Sequence, residues 1–121
     1  MTWTTVCALD VLAIDRGTAA LIDGHQVAIF RLASGDVYAI DHRDPFSGAN
    51  VLARGLVGTR GDVPTVASPV YKQVFDLTTG ACLDDETVAV RSWPARVVDG
   101  MVEIDGSAVV GAQQVAEAGS T

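Results

Sequence analysis

Between Thr2 and Ile104 apolar residues return at short intervals, mostly at every other position, the period of a half-buried strand. Residues 2–9 (TWTTVCAL) predict a first strand with Trp3, Val6 and Ala8 as its apolar set. Residues 10–15 lead to Arg16-Gly17, which is expected to turn, and the weak alternation of 18–22 runs into Asp23-Gly24. That dipeptide is a strong signal for a two-residue hairpin. In 25–32 both alternating sets are apolar, Val27 and Ile29 on one side and Ala28 and Phe30 on the other. A strand apolar on both faces is expected at the centre of a barrel or sandwich. Ser34-Gly35-Asp36 turns the chain again and 37–40 pairs back, giving a meander of short strands.

The alternation then breaks twice, over 42–55 (HRDPFSGANVLARG) and over 67–77 (ASPVYKQVFDL). Asp44-Pro45 and Ser47-Gly48 are turn formers. Residues 50–54 are expected to make one or two helical turns, with Asn50 as N-cap and Gly55 as the stop. Residues 58–64 (GTRGDVP) read as an exposed loop, with strands over 65–70 and 72–77 around the second loop. That loop runs into FDLTTG, a strand and a tight turn closed by Gly80. After an acidic connection at 82–86, further strands are expected over 88–90, 94–98 and 101–104, with Asp99-Gly100 as a second hairpin turn and Trp93 as core or a partial cap. From Ser107 the chain is rich in Ala, Gly and Gln, which predicts a tail with a marginal or frayed helix over 108–118. The domain is therefore expected to span 1–106, with 107–121 as the tail. The class is all-β: an antiparallel sandwich or small barrel, with two loops at one end where sites on rigid scaffolds commonly sit.

Composition narrows the partners. At 121 residues the chain is long enough for one core, and 49% hydrophobic against 19% charged residues argues for a globular fold. A formal net charge of −7 argues against nucleic acid and anionic membrane surfaces. The N-terminus lacks a basic leader region, Asp10 interrupts its apolar run, and no stretch is long enough to span a bilayer, so a cytoplasmic protein is expected. Cys7 and Cys82 lie far apart and form no metal-binding spacing. They are expected as buried free thiols, with a regulatory disulfide between them as the alternative. His25 follows a turn and reads as solvated, while His42, beside the first loop, reads as structural or solvated. Asp84, Asp85 and Glu86 are adjacent, so their side chains point apart and make no acid–base couple. GTRG (58–61) has no P-loop lysine, and no nucleophile–base motif appears.

The two loops carry a resemblance. Their spacing, with Gly48-Ala49 in the first and Pro69 ahead of FDLTTG in the second, resembles a Rieske iron–sulfur domain. In that family the first loop holds Cys-x-His and the second Cys-Pro-x-His. Aligned on the shared residues, the first pair falls on Asp44 and Phe46 and the second on Ser68 and Tyr71. A Rieske cluster needs two thiolates on one iron and two imidazoles on the other. Phe46 has no donor atom, and Ser68 and Tyr71 offer hard, weakly acidic oxygens. One carboxylate, Asp44, does not hold a cluster.

DPFSGANVLARGLVG, VASPVYKQVFDLTTGACLDD and WPARVVDGMVEI together resemble the nitrite reductase small-subunit branch of that family, over roughly residues 3–105. The resemblance implies a Rieske-like β fold that has lost its cluster, with no catalytic residue, cofactor or metal ligand in this chain. It implies a partner, the large subunit of a cytoplasmic NAD(P)H-dependent nitrite reductase, carrying FAD, sirohaem and a [4Fe-4S] cluster that reduce nitrite to ammonium. Two alternatives stand beside it: a cluster-bearing electron-transfer ferredoxin, and a stand-alone binding module on the same scaffold. Phe46 and Tyr71 are bulky enough to be expected to fill the cluster's volume. Arg43, Phe46, Tyr71 and Lys72 are the candidate partner contacts, two cations and two aromatics on an acidic protein.

Overall fold

The two apolar faces of β3 (His25–Arg31) belong to two different cores. In the computed structural model, which describes residues 2–107 and 110–111, Val27 and Ile29 meet Leu12, Ala39, Trp93, Val102 and Ile104 on one side. Ala28 and Phe30 meet Ile40, Leu52, Val66, Phe75 and Leu77 on the other. All four β3 side chains are fully buried. Burying an aliphatic or aromatic side chain of this size stabilises by about 1.5–3 kcal/mol, so this one strand ties both halves of the molecule together.

Three antiparallel sheets build the layers. β3 lies between β2 (Arg16–Ile22) and β4 (Val37–Asp41) in a five-stranded sheet of order β11-β8-β4-β3-β2, completed by β8 (Arg91–Trp93) and β11 (Val110–Gly111). One face is covered by β1 (Trp3–Ala8), β10 (Met101–Asp105) and β9 (Ala95–Val98), in the order β1-β10-β9. The other face meets a lobe of β5 (Leu56–Arg60), β6 (Val63–Ala67) and β7 (Val74–Asp76). The hairpin turns expected at Asp23-Gly24 and Asp99-Gly100 are present, all four residues at positive φ as a tight two-residue turn requires. Among the described residues no helix is long and apolar enough to cross a membrane.

Several expected boundaries move. Arg16-Gly17 does not turn: it starts β2, and the reversal is made by Asp15 at φ 59. Gly17 is needed for closeness, since a Cβ there would overlap the Ala53 carbonyl and the Phe30 ring. The stretch 58–64 is no open loop but the β5–β6 hairpin, turning at Gly61-Asp62. Its outer strand is exposed at four of five positions, which erased the alternation that marks a strand. The strands expected at 65–70 and 72–77 stop short of the second loop, because the Ser68 carbonyl accepts the Lys72 N–H at 3.1 Å and bends the chain. Residues 88–90 contribute only a bridge, Ala81 to Ala89. Within the helix expected over 108–118, Val110–Gly111 instead pairs with β8; the other residues of that stretch, and the tail beyond it, lie outside the described residues.

Cys7 borders the first core and Cys82 is buried in the second. Both are free thiols on opposite sides of the central sheet, so the alternative of a disulfide between them is set aside.

Candidate functional site

The end of β4 launches the first loop. Asp41, its last residue, accepts the Arg91 backbone N–H at 3.0 Å, the Arg91 Nε–H at 2.9 Å and the Trp93 Nε1–H at 3.0 Å. A single carboxylate thereby pins β8 to β4 at the loop's root. His42 follows, buried, and its Nδ1 accepts the Ala53 N–H at 3.1 Å while its carbonyl accepts those of Val51 and Leu52 at 3.0 Å. His42, and not Asn50, caps the short 3₁₀ turn Leu52–Arg54; Asn50 is exposed and bridges to Arg43. Burial lowers the His42 pKa from its ordinary value, and the Arg54 guanidinium lowers it further.

Asp44 and Ser68, the positions matched to the two thiolates, are both fully buried. Asp44 Oδ1 accepts the Phe46 N–H at 2.9 Å, a local turn that suits aspartate. Ser68 Oγ accepts the Val70 N–H at 3.3 Å, the hydroxyl version of the same turn. The Ser68 hydroxyl then donates to Asp44 Oδ2 at 2.5 Å, joining the loops. Sequence spacing brought both residues into view, and only the fold shows that they hold each other.

The positions matched to the two imidazoles diverge. Phe46 turns inward, half-buried, with its ring 6.3 Å from that of the fully buried Phe75. It fills space as expected. Tyr71 does not: it is 60% exposed, beside Val70 at 43%. The reason is the tight turn at Ser68–Lys72, in which Lys72 takes a left-handed conformation at φ 67 and its N–H closes on Ser68. Tyr71 lies on the outside of that turn.

This donor set does not fit a [2Fe-2S] cluster. One matched position is hydrocarbon, one points into solvent, and the two oxygens between them are spent on each other. Among the described residues no group of three or more His, Cys, Asp or Glu is gathered as a metal site would need.

Arg60, Arg91 and Arg96 pair with Asp84, Asp41 and Glu103. Among the described residues Arg43, Arg54 and Lys72 have no carboxylate partner, are exposed, and flank the two loops. At the opposite ends of β4 and β6, Asp15, Asp36 and Asp62 line a cleft of ≈ 480 Å³ with Leu32, Tyr38 and Pro64. Burial, then Asp36 and Asp76, raise the Tyr38 pKa.

Sequence reading missed Asp41, whose value lies in partners 50 and 52 residues away. It also missed the capping role of His42. A carboxylate at a strand end just before a loop was the only signal available for the first.

The Rieske-like [2Fe-2S] domain family matches residues 2–105. The nitrite reductase (NADH) small subunit of Salmonella typhimurium is 44% identical over 105 residues, 86% of this chain and 97% of that protein. The solution structure of the Escherichia coli protein NirD superposes with a TM-score of 0.82 at 41% identity, covering 88% of this chain and 98% of that one. A segment of the Klebsiella oxytoca nitrite reductase [NAD(P)H] large subunit is 43% identical over 100 residues, 83% of this chain but 10% of that protein.

Proposed function

The chain belongs to the Rieske-like [2Fe-2S] domain family and to its nitrite reductase small subunits, and from this premise we propose that it serves as a cluster-free docking subunit of a nitrite reductase. Its partner on this reading is a cytoplasmic large subunit that carries the FAD, sirohaem and [4Fe-4S] groups and reduces nitrite to ammonium with NAD(P)H. The observation that carries the reading is the Asp44–Ser68 hydrogen bond, which keeps both loops in place where the ligands for a cluster are missing. The Klebsiella oxytoca large subunit supports the pairing, because a segment similar to this chain there shares one polypeptide with the large subunit.

The docking surface is the loop end. Tyr71 and Val70 are its exposed apolar residues, and the exposed cations Arg43, Arg54 and Lys72 stand in or at the end of the same two loops, on a protein of net charge −7. Phe46, half-buried against Phe75, supports this surface from below and leaves the contact set. Exposed cations in the same loops as an exposed aromatic suit an acidic patch on the partner, which steers encounter and orients it.

The test is reconstitution of the large subunit with and without this chain, followed by gel filtration and NAD(P)H-dependent nitrite reduction. A stable complex with higher or longer-lived activity is expected. A chain that does not associate, or that carries stoichiometric iron and sulfide, overturns the proposal and favours an electron-carrying ferredoxin.

A further inference from the structure

Both loops are built the same way. In each, one short polar side chain caps the N–H two residues ahead: Asp44 for Phe46 and Ser68 for Val70. Each of those residues also closes a wider turn through its backbone carbonyl, Asp44 to the Gly48 N–H at 2.7 Å and Ser68 to the Lys72 N–H at 3.1 Å. The two capping side chains then meet in the cross-loop hydrogen bond, in a fully buried position. The result is one continuous chain, Phe46 N–H to Asp44, Ser68 O–H to Asp44, Val70 N–H to Ser68. It ends on the residue next to Tyr71.

We propose that the Asp44–Ser68 pair acts as a clasp that sets the shape of the partner-facing ridge, so that the order of each loop depends on a side chain in the other. The inference rests on the docking reading for its consequence, though the clasp itself is a property of the isolated chain. The physical argument is desolvation. Asp44 has no cation within ion-pair distance among the described residues, so its buried carboxylate relies on the Ser68 hydroxyl and the Phe46 N–H. Removing the hydroxyl leaves half of that solvation missing, and the cheapest response is for the first loop to open and admit water. Loop 1 should therefore respond to a change made only in loop 2. Asp44 and Ser68 are positioning residues on this account, with Val70, Tyr71 and Lys72 making the contacts.

Hydrogen exchange on the isolated chain tests the clasp. In Ser68→Ala the amides of Asp44 and Gly48, which bond only within loop 1, are expected to exchange roughly 10- to 100-fold faster, the range implied by a hydrogen bond to a charged group. The Val27 and Phe30 amides of the central strand should keep their rates. Ser68→Thr, which retains the hydroxyl, should restore protection, and Asp44→Asn provides the reciprocal variant if Ser68→Ala does not fold. Unchanged loop 1 exchange in Ser68→Ala overturns the clasp. Binding to the large subunit then separates the two ideas: Ser68→Ala should bind more weakly than Ser68→Thr. If loop 1 opens as expected and affinity does not change, the clasp holds and the docking reading fails.

Discussion

Ser68 donates its hydroxyl to Asp44 across two loops, at 2.5 Å and with both residues fully removed from solvent. Hydrogen bonds to ionised groups are shorter and stronger than neutral ones, and a buried carboxylate stripped of its donor costs more than the bond alone. Ser68→Ala is expected to destabilise the protein by about 1.5–3 kcal/mol, measured as a shift in the urea midpoint at unchanged slope. A loss below about 0.5 kcal/mol would mean that water replaces the hydroxyl without cost.

Protein prepared anaerobically is expected to contain no stoichiometric iron or acid-labile sulfide and to lack a Rieske-type visible spectrum. The reason is the donor set: a hydrocarbon at Phe46, an outward Tyr71, and two oxygens bound to each other. Iron and sulfide assays on freshly purified material decide it.

His42 makes stability depend on pH. Its Nδ1 must be unprotonated to accept the Ala53 N–H, and burial and Arg54 hold its folded pKa below the ordinary 6.5. Between those values the unfolded chain binds the proton that the folded one refuses, so stability rises with pH there. The contribution is complete above about pH 6.5 and is lost as pH falls below it. Urea midpoints from pH 5 to 8 should show this slope, and His42→Gln should flatten it. An equal slope in the variant would assign the effect to other groups.

Arg43→Glu with Lys72→Glu should leave the fold intact, because both side chains are exposed and neither is in an ion pair among the described residues. Association with the large subunit should weaken and lose much of its salt sensitivity. Unchanged co-purification and unchanged nitrite reduction would move the interface to the sheet faces or elsewhere.

Two aromatics, one in the central strand and one in the second loop, should behave oppositely. Phe30→Ala removes a fully buried ring from the second core and is expected to cost about 3–5 kcal/mol. Tyr71→Ala, at 60% exposure, should fall within about 0.5 kcal/mol in the isolated chain and act on binding instead. Chemical denaturation of both variants checks the contrast.

Alternation determined the all-β class and the central place of β3, and two Asp-Gly dipeptides determined the hairpins at Asp23-Gly24 and Asp99-Gly100. Those signals are local: a period of two residues, or a dipeptide that tolerates positive φ, is written in neighbouring positions. Spacing and resemblance also picked out the four matched positions in the loops. What each does there was decided by tertiary structure. Asp44 and Ser68 are 24 residues apart, and nothing near either one says that the other will be its partner. Phe46 and Tyr71 are both bulky aromatics in loops, yet one turns in because Phe75 lies beneath it and the other turns out because the Ser68–Lys72 turn leaves it outside. His42 could be read only as structural or solvated, and the 3₁₀ turn folding back onto its ring made it structural. Contacts between distant segments depend on how the sheets twist and stack, and the local pattern that builds each strand carries no record of that arrangement.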